Sequence, residues 1–255
     1  MSESLAGKII VVTGASAGIG RALSIELVAR GAKVALLARS AEKLGALAAE
    51  LGPRAMAIVT DVTRRDDVEA ALAQTVAAFG NVDVWVNNAG RGISRNVDEL
   101  TDDDLDAMVR DNVKSALYGM QTALAHFRAS AGESGPKGQL VNVSSMLSRA
   151  PFAPFRSAYS ASKAALNSLT ESLRFQLAEA APGVVVTLVL PGVVATEFGN
   201  NALGGGPDNR TMPGAQPVGE VAVVIADAIE HRKREVYTHP SYPARVDGYF
   251  AGLRS

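Results

Sequence analysis

The chain has 255 residues, 47% of them hydrophobic, which suits one large α/β domain with a sizeable buried core. Its 25 Lys and Arg nearly cancel its 26 Asp and Glu, so no global positive field exists to hold nucleic acid or an anionic membrane, and small-molecule work is expected. With no Cys, disulfide scaffolds, thiolate zinc sites and a Cys nucleophile are excluded together; the three His show no metal-ligand spacing, so no metal is expected.

The opening stretch MSESLAGKIIVVTG lacks the pattern of a secretory leader, and its apolar residues belong to a first predicted strand, KIIVVT at 8–13. No apolar run reaches the length of a membrane span, so a soluble, cytoplasmic protein is expected. TGASAGIG follows the strand and opens a helix at 18–30. Gly14, Gly18 and Gly20 let the backbone turn sharply and approach a ligand, while the helix amino end offers unpaired N–H groups to phosphate. The second strand, KVALLA at 33–38, decides which dinucleotide. An NAD site places Asp or Glu at its end to accept from the ribose hydroxyls. Here Ala38 and then Arg39 stand there, and a guanidinium pairs with a 2′-phosphate through two hydrogen bonds, so NADP(H) is expected, with the Ser16 hydroxyl adding to the same phosphate.

Helix 41–51, strand 55–60, helix 65–79, strand 82–87, a long helical segment at 102–130, strand 138–145, helix 158–180 and strand 184–190 follow in turn. A Gly- and Pro-rich stretch from Glu197 to Pro217 comes next, then helix 219–231 and a short strand at 235–238. The strands are apolar along their length, as strands buried on both faces of a parallel sheet read. Strand–helix alternation predicts a single-domain, Rossmann-like, doubly wound parallel sheet of about seven strands, with helices on both faces, over residues 1–255. Ligands of such sheets bind beyond the carboxyl ends of the strands, which puts 197–217 at the mouth of the site as an expected flexible substrate lid.

The stretch YSASK begins the helix at 158–180. Tyr159 and Lys163 lie four apart, one turn along the same face, so a phenol and an ammonium share one small volume. An adjacent ammonium is expected to favour the ionised phenol and bring its proton exchange closer to neutral pH.

With these residues in order the sequence resembles the short-chain dehydrogenase/reductase family over essentially its whole length. The motifs are TGASAGIG at 13–20, Asp61-Val62, NNAG at 87–90, Asn112 in the long helix, the Ser-Ser of NVSSM at 142–146, YSASK at 159–163 and PGVVAT at 191–196. The resemblance implies an oxidoreductase interconverting a ketone or aldehyde with an alcohol. Tyr159 would be the general acid in reduction and base in oxidation, Lys163 would tune it and hold the nicotinamide ribose, Ser145 would donate to the substrate oxygen, and Asn112 would position a water linking Lys163 to solvent. It also implies cofactor contacts from Gly14, Ser16, Gly18, Ile19 and Gly20 in the first loop and from Asp61 and Val62 at the adenine. Asn88, Ala89 and Gly90 would lie near the adenosine ribose, and Pro191, Gly192, Val194 and Thr196 at the carboxamide. Homodimers or homotetramers through the helices at 102–130 and 158–180 are implied as well, with Ala161, Ala164 and Ala165 permitting close helix approach.

One departure stands out. The family most often places its Ser thirteen residues before the Tyr, whereas Ser145 lies fourteen before Tyr159, with Met146 at thirteen; one extra loop residue accounts for this, and Ser144 and Ser148 remain substitutes. Phe152, Phe155 and Met146 are candidates for an apolar pocket, and Arg91, Arg149 and Arg156 are candidates to meet an anionic group, although each reads first as a solvated surface charge. Two other activities stay open: reduction of an activated C=C or C=N bond on the same scaffold, and non-catalytic NADPH binding by a regulator.

Overall fold

The computed structural model describes residues 4–254; residues 1–3, the start of the segment read as lacking a leader, and Ser255 lie outside the described residues. Seven parallel strands form one sheet: β1 (Ile9–Thr13), β2 (Lys33–Ala38), β3 (Ala55–Val59), β4 (Val84–Asn87), β5 (Gly138–Val143), β6 (Val184–Leu190) and β7 (Glu235–Tyr237). Their spatial order is β3-β2-β1-β4-β5-β6-β7. The chain therefore winds outward from β1 in one direction and from β4 in the other. The register Ile10↔Val84 and Val12↔Val86 brings the carboxyl ends of those two strands side by side at the reversal.

Period-two geometry explains why these strands carry apolar residues at every position. Ile10 and Val12 pack with Val34, Leu36, Val86 and Val189 on one face, under α1 (Gly18–Ala29) and α7 (Val218–Glu230). Ile9 and Val11 pack with Leu37, Trp85, Leu140 and Val186 on the other, under α5 (Ser115–Ala129) and α6 (Ser157–Ala180). Leu23 and Leu27 of α1 and Phe127 of α5 are fully buried in these layers. Each contributes roughly 1.5–3 kcal/mol of apolar burial. The expectation of strands buried on both faces fails at the edges: β3 leaves Val59 60% exposed, and the short β7 is only partly covered. An edge strand has one neighbour and no full helical cover.

Two further differences bear on the site. The segment expected as one helix at 102–130 is α4 (Asp102–Met108), a π-helical stretch at Val109–Lys114 and then α5. The widened turn carries Asn112, and such insertions re-aim a side chain within an otherwise continuous helix. An unpredicted helix, α8 (Tyr242–Gly252), follows β7 with Pro at its first turn. Between them α2 (Ala41–Leu51) and α3 (Arg65–Phe79) lie close to expectation. No helix among the described residues is long and apolar enough to cross a membrane.

Candidate active site

The first loop is built by close approach. Gly14 and Gly18 have φ of +67° and +52°, and a Cβ on Gly20 would lie 2.3 Å from the Gly14 carbonyl oxygen and 2.6 Å from Asn88 Nδ2. Thr13, at the end of β1, ties the neighbouring strand end to this loop. Its hydroxyl donates to the Val86 carbonyl and accepts from the backbone N–H groups of Asn88 and Ala89, while Asn88 Nδ2 donates to the Thr13 carbonyl at 2.8 Å. Helix α1 then starts without a side-chain cap, and its first turn carries no acid. Its free N–H groups are left for a ligand, and the residues present fit the phosphates of a dinucleotide.

Beyond this loop a cavity of about 840 Å³ runs along the carboxyl ends of the strands. Ser16, Gly18, Ile19, Arg39, Asp61, Val62, Asn88, Ala89 and Gly90 line it at one end, and Ser145, Tyr159, Lys163, Pro191, Gly192, Val194 and Thr196 at the other. Gly20 and Asn112 stand behind its wall, and Gly14 lies on it. A cleft of about 810 Å³ at the opposite ends of the strands, beside Lys8 and Asp83, sits where doubly wound sheets do not bind their ligands.

Arg39 is exposed, directly follows Ala38, and has no hydrogen bond or ion pair among the described residues. Asp61 Oδ1 accepts from the Thr63 N–H at 3.0 Å and the Thr63 hydroxyl at 2.7 Å, which leaves Oδ2 open. Burial works against its charge, yet those bonds and the nearby Arg39 and Arg64 outweigh it and hold the carboxyl below its ordinary value. At the far end, Thr196 packs close to where a Gly18 side chain would be, joining the first loop to the 191–196 turn.

The three serines are sorted by their partners. Ser144 Oγ donates to Asn167 at 2.6 Å, and Ser148 Oγ donates to the Ser145 carbonyl while accepting from Asn167 Nδ2, so both are committed. The Ser145 hydroxyl accepts from the Leu147 N–H, capping a short 3₁₀ turn at Met146–Ser148, and lines the same cavity as Tyr159. Met146 packs into a small core with Tyr242 and Val246 of α8 and also lines the cavity, as expected.

Tyr159 and Lys163 are buried, at 8% and 4% exposure, with the Lys163 ammonium 5.9 Å from the Tyr159 ring centroid and donating to the Val143 carbonyl at 2.9 Å. Asn112 spans Arg91, accepting from its N–H and donating to its carbonyl, both at 2.9 Å, and donates to Ser162 Oγ. Gly90 fits between these groups: a Cβ there would lie 2.7 Å from Asn112 Oδ1 and 3.3 Å from Lys163 Nζ.

The expected ammonium-lowered phenol is not what this arrangement produces in the chain alone. Burial pushes Tyr159 up to about 12, against a Ser145 hydrogen bond and the charge of Arg156. Burial likewise pushes Lys163 down to about 8. Desolvation is the largest cause for each group, and neither has the other among the causes of its shift. The Tyr159 hydroxyl is therefore held as a proton donor at neutral pH.

Sequence reasoning missed Phe198 and Arg245 here. Arg156, read first as a surface charge and otherwise as an anion contact, is buried; Arg149 pairs with Glu235 at 2.7 Å near the surface, and Arg91 lies exposed on the cavity wall. Phe152 and Phe155 do line the cavity, and Arg245 of α8 covers the Phe152 ring at 4.7 Å. The Phe198 ring lies 5.5 Å from that of Tyr159. Residues 197–217 are irregular as expected, apart from a 3₁₀ turn at Asn209–Thr211, but they dock firmly: the Leu203 N–H donates to the Gly92 carbonyl and its carbonyl accepts from Ser94. No group of His, Asp and Glu among the described residues could hold a metal ion.

A glycine-lined crevice at the strand-order reversal, with a phenol, a hydroxyl and an ammonium at its far end, defines a dinucleotide-binding oxidoreductase. The chain belongs to the short-chain dehydrogenase family, whose model matches residues 8–203. Among curated relatives, it is 36% identical over 193 residues to an uncharacterized oxidoreductase of Staphylococcus aureus strain MW2, covering 75% of this chain and 80% of that one. Among solved structures it is similar to a short-chain dehydrogenase/reductase from Burkholderia phymatum in complex with NAD, with a TM-score of 0.85, 25% identity and coverage of 98% and 95% of the two chains. It is also similar to a short-chain dehydrogenase from Burkholderia cenocepacia J2315 in complex with NADP, with a TM-score of 0.80, 28% identity and coverage of 98% and 96%.

Proposed function

We propose that the protein is an NADP(H)-dependent oxidoreductase that interconverts a ketone or aldehyde with an alcohol, using Tyr159 as the general acid of reduction and the base of oxidation. The observation that carries this reading is that Ser145, Tyr159 and Lys163 share the wall of the cavity that also contains the glycine loop. A nicotinamide held there would supply hydride to the carbonyl carbon or accept it from the alcohol carbon. Ser145 donates a hydrogen bond to the oxygen as negative charge grows on it, and the Tyr159 hydroxyl gives that oxygen its proton. Lys163 would hold the ribose hydroxyls and, through a water positioned by Asn112, would return a proton to Tyr159. Arg39 selects NADP(H), supported by its unpaired guanidinium at the end of β2 and the absence of an acid at position 38.

Residues 197–217 serve as the substrate lid, with Phe198 against the Tyr159 ring in support. The chain associates as a homodimer or homotetramer through the face of α6 that exposes Ala161, Ala164, Ala165 and Phe175, the last at 81%.

The test is a panel of ketones, aldehydes and alcohols followed by nicotinamide absorbance with both cofactors, on the wild type and Tyr159→Phe. The variant should lose about a hundredfold or more in carbonyl reduction while its NADPH affinity changes by less than about twofold. Unaltered turnover in Tyr159→Phe refutes the mechanism.

A further inference from the structure

Arg156 caps the start of α6, one turn before Tyr159, and is only 7% exposed. A guanidinium withdrawn that far from water needs acceptors or a counter-charge. It has one acceptor: Nη1 donates to the Ile93 carbonyl at 3.1 Å, while the Phe155 ring lies 5.3 Å away. Nε and Nη2 find no acceptor among the described residues, yet they are not sealed from solvent, so they face the cavity that holds Ser145 and Tyr159. The carboxylates on that wall are engaged elsewhere. Asp61 accepts from Thr63, Asp111 from Arg110 at 3.0 Å and Glu197 from Arg210 at 3.0 Å.

A second unmatched group lies beside the cation. Ser94 Oγ is buried and has no hydrogen-bond partner. A Cβ on Gly206 would lie 2.9 Å from Ser94 Oγ and 3.1 Å from Arg156 Nη2, so hydroxyl and guanidinium flank one bare backbone position. Burial disfavours the Arg156 charge, and the group that offsets it is Tyr159, whose own hydroxyl is neutral at ordinary pH. The guanidinium thus has no resident anion.

We propose that Arg156 determines specificity for a substrate carrying a carboxylate a few bonds from its reacting carbonyl: an oxo acid in reduction, the matching hydroxy acid in oxidation. The inference rests on the carbonyl–alcohol reading above and narrows it. Residues three apart at a helix start bring their side chains about 5–6 Å apart, so a carbonyl at Tyr159 leaves a short acid chain to reach Arg156. The carboxylate takes no part in hydride or proton transfer; it fills the two open donors of the fork.

The experiment compares 2-oxobutanoate, 3-oxobutanoate and 4-oxopentanoate with their methyl esters, which keep the shape and remove the charge. In the wild type kcat/KM for the best acid should exceed that of its ester by about tenfold to a hundredfold. In Arg156→Gln that ratio should fall to within about twofold of one, and Arg156→Lys should restore part of it. Because each ratio is taken within one protein, a general loss of folding or catalysis cancels. Esters and neutral ketones turned over as well as the acids, or an unchanged ratio in Arg156→Gln, overturn this proposal and leave the carbonyl–alcohol reading intact. If no carbonyl turns over, the underlying reading fails, and calorimetric titration of the NADP-loaded protein with the same acids decides the anion site. Heat from the wild type that disappears in Arg156→Gln upholds it, and no heat from the wild type overturns it.

Discussion

Lys163→Met should make the ligand-free protein more stable at neutral pH. The ammonium is almost wholly buried, and its drop from the ordinary 10.5 to about 8 amounts to roughly 3 kcal/mol of disfavoured charge. Met fills a similar volume without the charge. The Val143 carbonyl loses its 2.9 Å donor, which costs on the order of 1 kcal/mol. A net gain of about 2 kcal/mol remains, equivalent to a Tm rise of roughly 5 °C for a chain of this size. The sign with pH follows from linkage. Below about pH 8 the lysine is charged in both the folded and unfolded states, and the full penalty is present. Between about 8 and 10.5 the unfolded chain holds a proton that the folded one has released, so wild-type stability rises with pH and the penalty disappears. Urea titrations of both proteins from pH 7 to 10.5 should therefore show the variant's advantage shrinking, passing through zero at about pH 10 and reversing slightly, because the lost Val143 hydrogen bond remains. A variant less stable than wild type at pH 7, or a gap constant over that range, would show that burial does not disfavour this charge.

Arg39→Asp should move cofactor preference from NADP towards NAD by about tenfold or more in the ratio of affinities, because a carboxylate accepts from ribose hydroxyls and repels a 2′-phosphate. Fluorescence titration with both reduced cofactors measures it, and equal NADPH affinity before and after makes Arg39 a bystander. Light scattering of the wild type should give the mass of two or four chains, and Phe175→Glu should lower it, since a charge at that 81%-exposed position replaces the largest apolar group on the α6 face. A monomeric wild type removes the association reading.

How much of this was legible beforehand differs by element. The six long strands read clearly because each is a run of apolar residues bounded by turn residues. Residues 9–12 illustrate why: alternate side chains serve opposite layers, so no polar position interrupts them. Edge exposure at Val59 was not readable, since it depends on strand order rather than on composition. Helix α8 was hidden by its Pro start, its two glycines and its weak apolar pattern; it persists because Tyr242 and Val246 pack on Met146.

The same division runs through the site. Gly14, Gly18, Gly20, Tyr159 and Lys163 announce themselves because their chemistry is local: a turn that admits no Cβ, a helix amino end, two side chains one turn apart. Their spacing along the chain alone determines a dinucleotide loop and a phenol–ammonium pair. Which serine faces the phenol, where Asn112 points, and what Arg156 meets depend on partners dozens of residues away. Only the tertiary structure decided them. It also reversed the expected direction for the Tyr159 proton. A charge pair can be read from spacing, whereas the desolvation that dominates comes from neighbours the chain brings together only on folding.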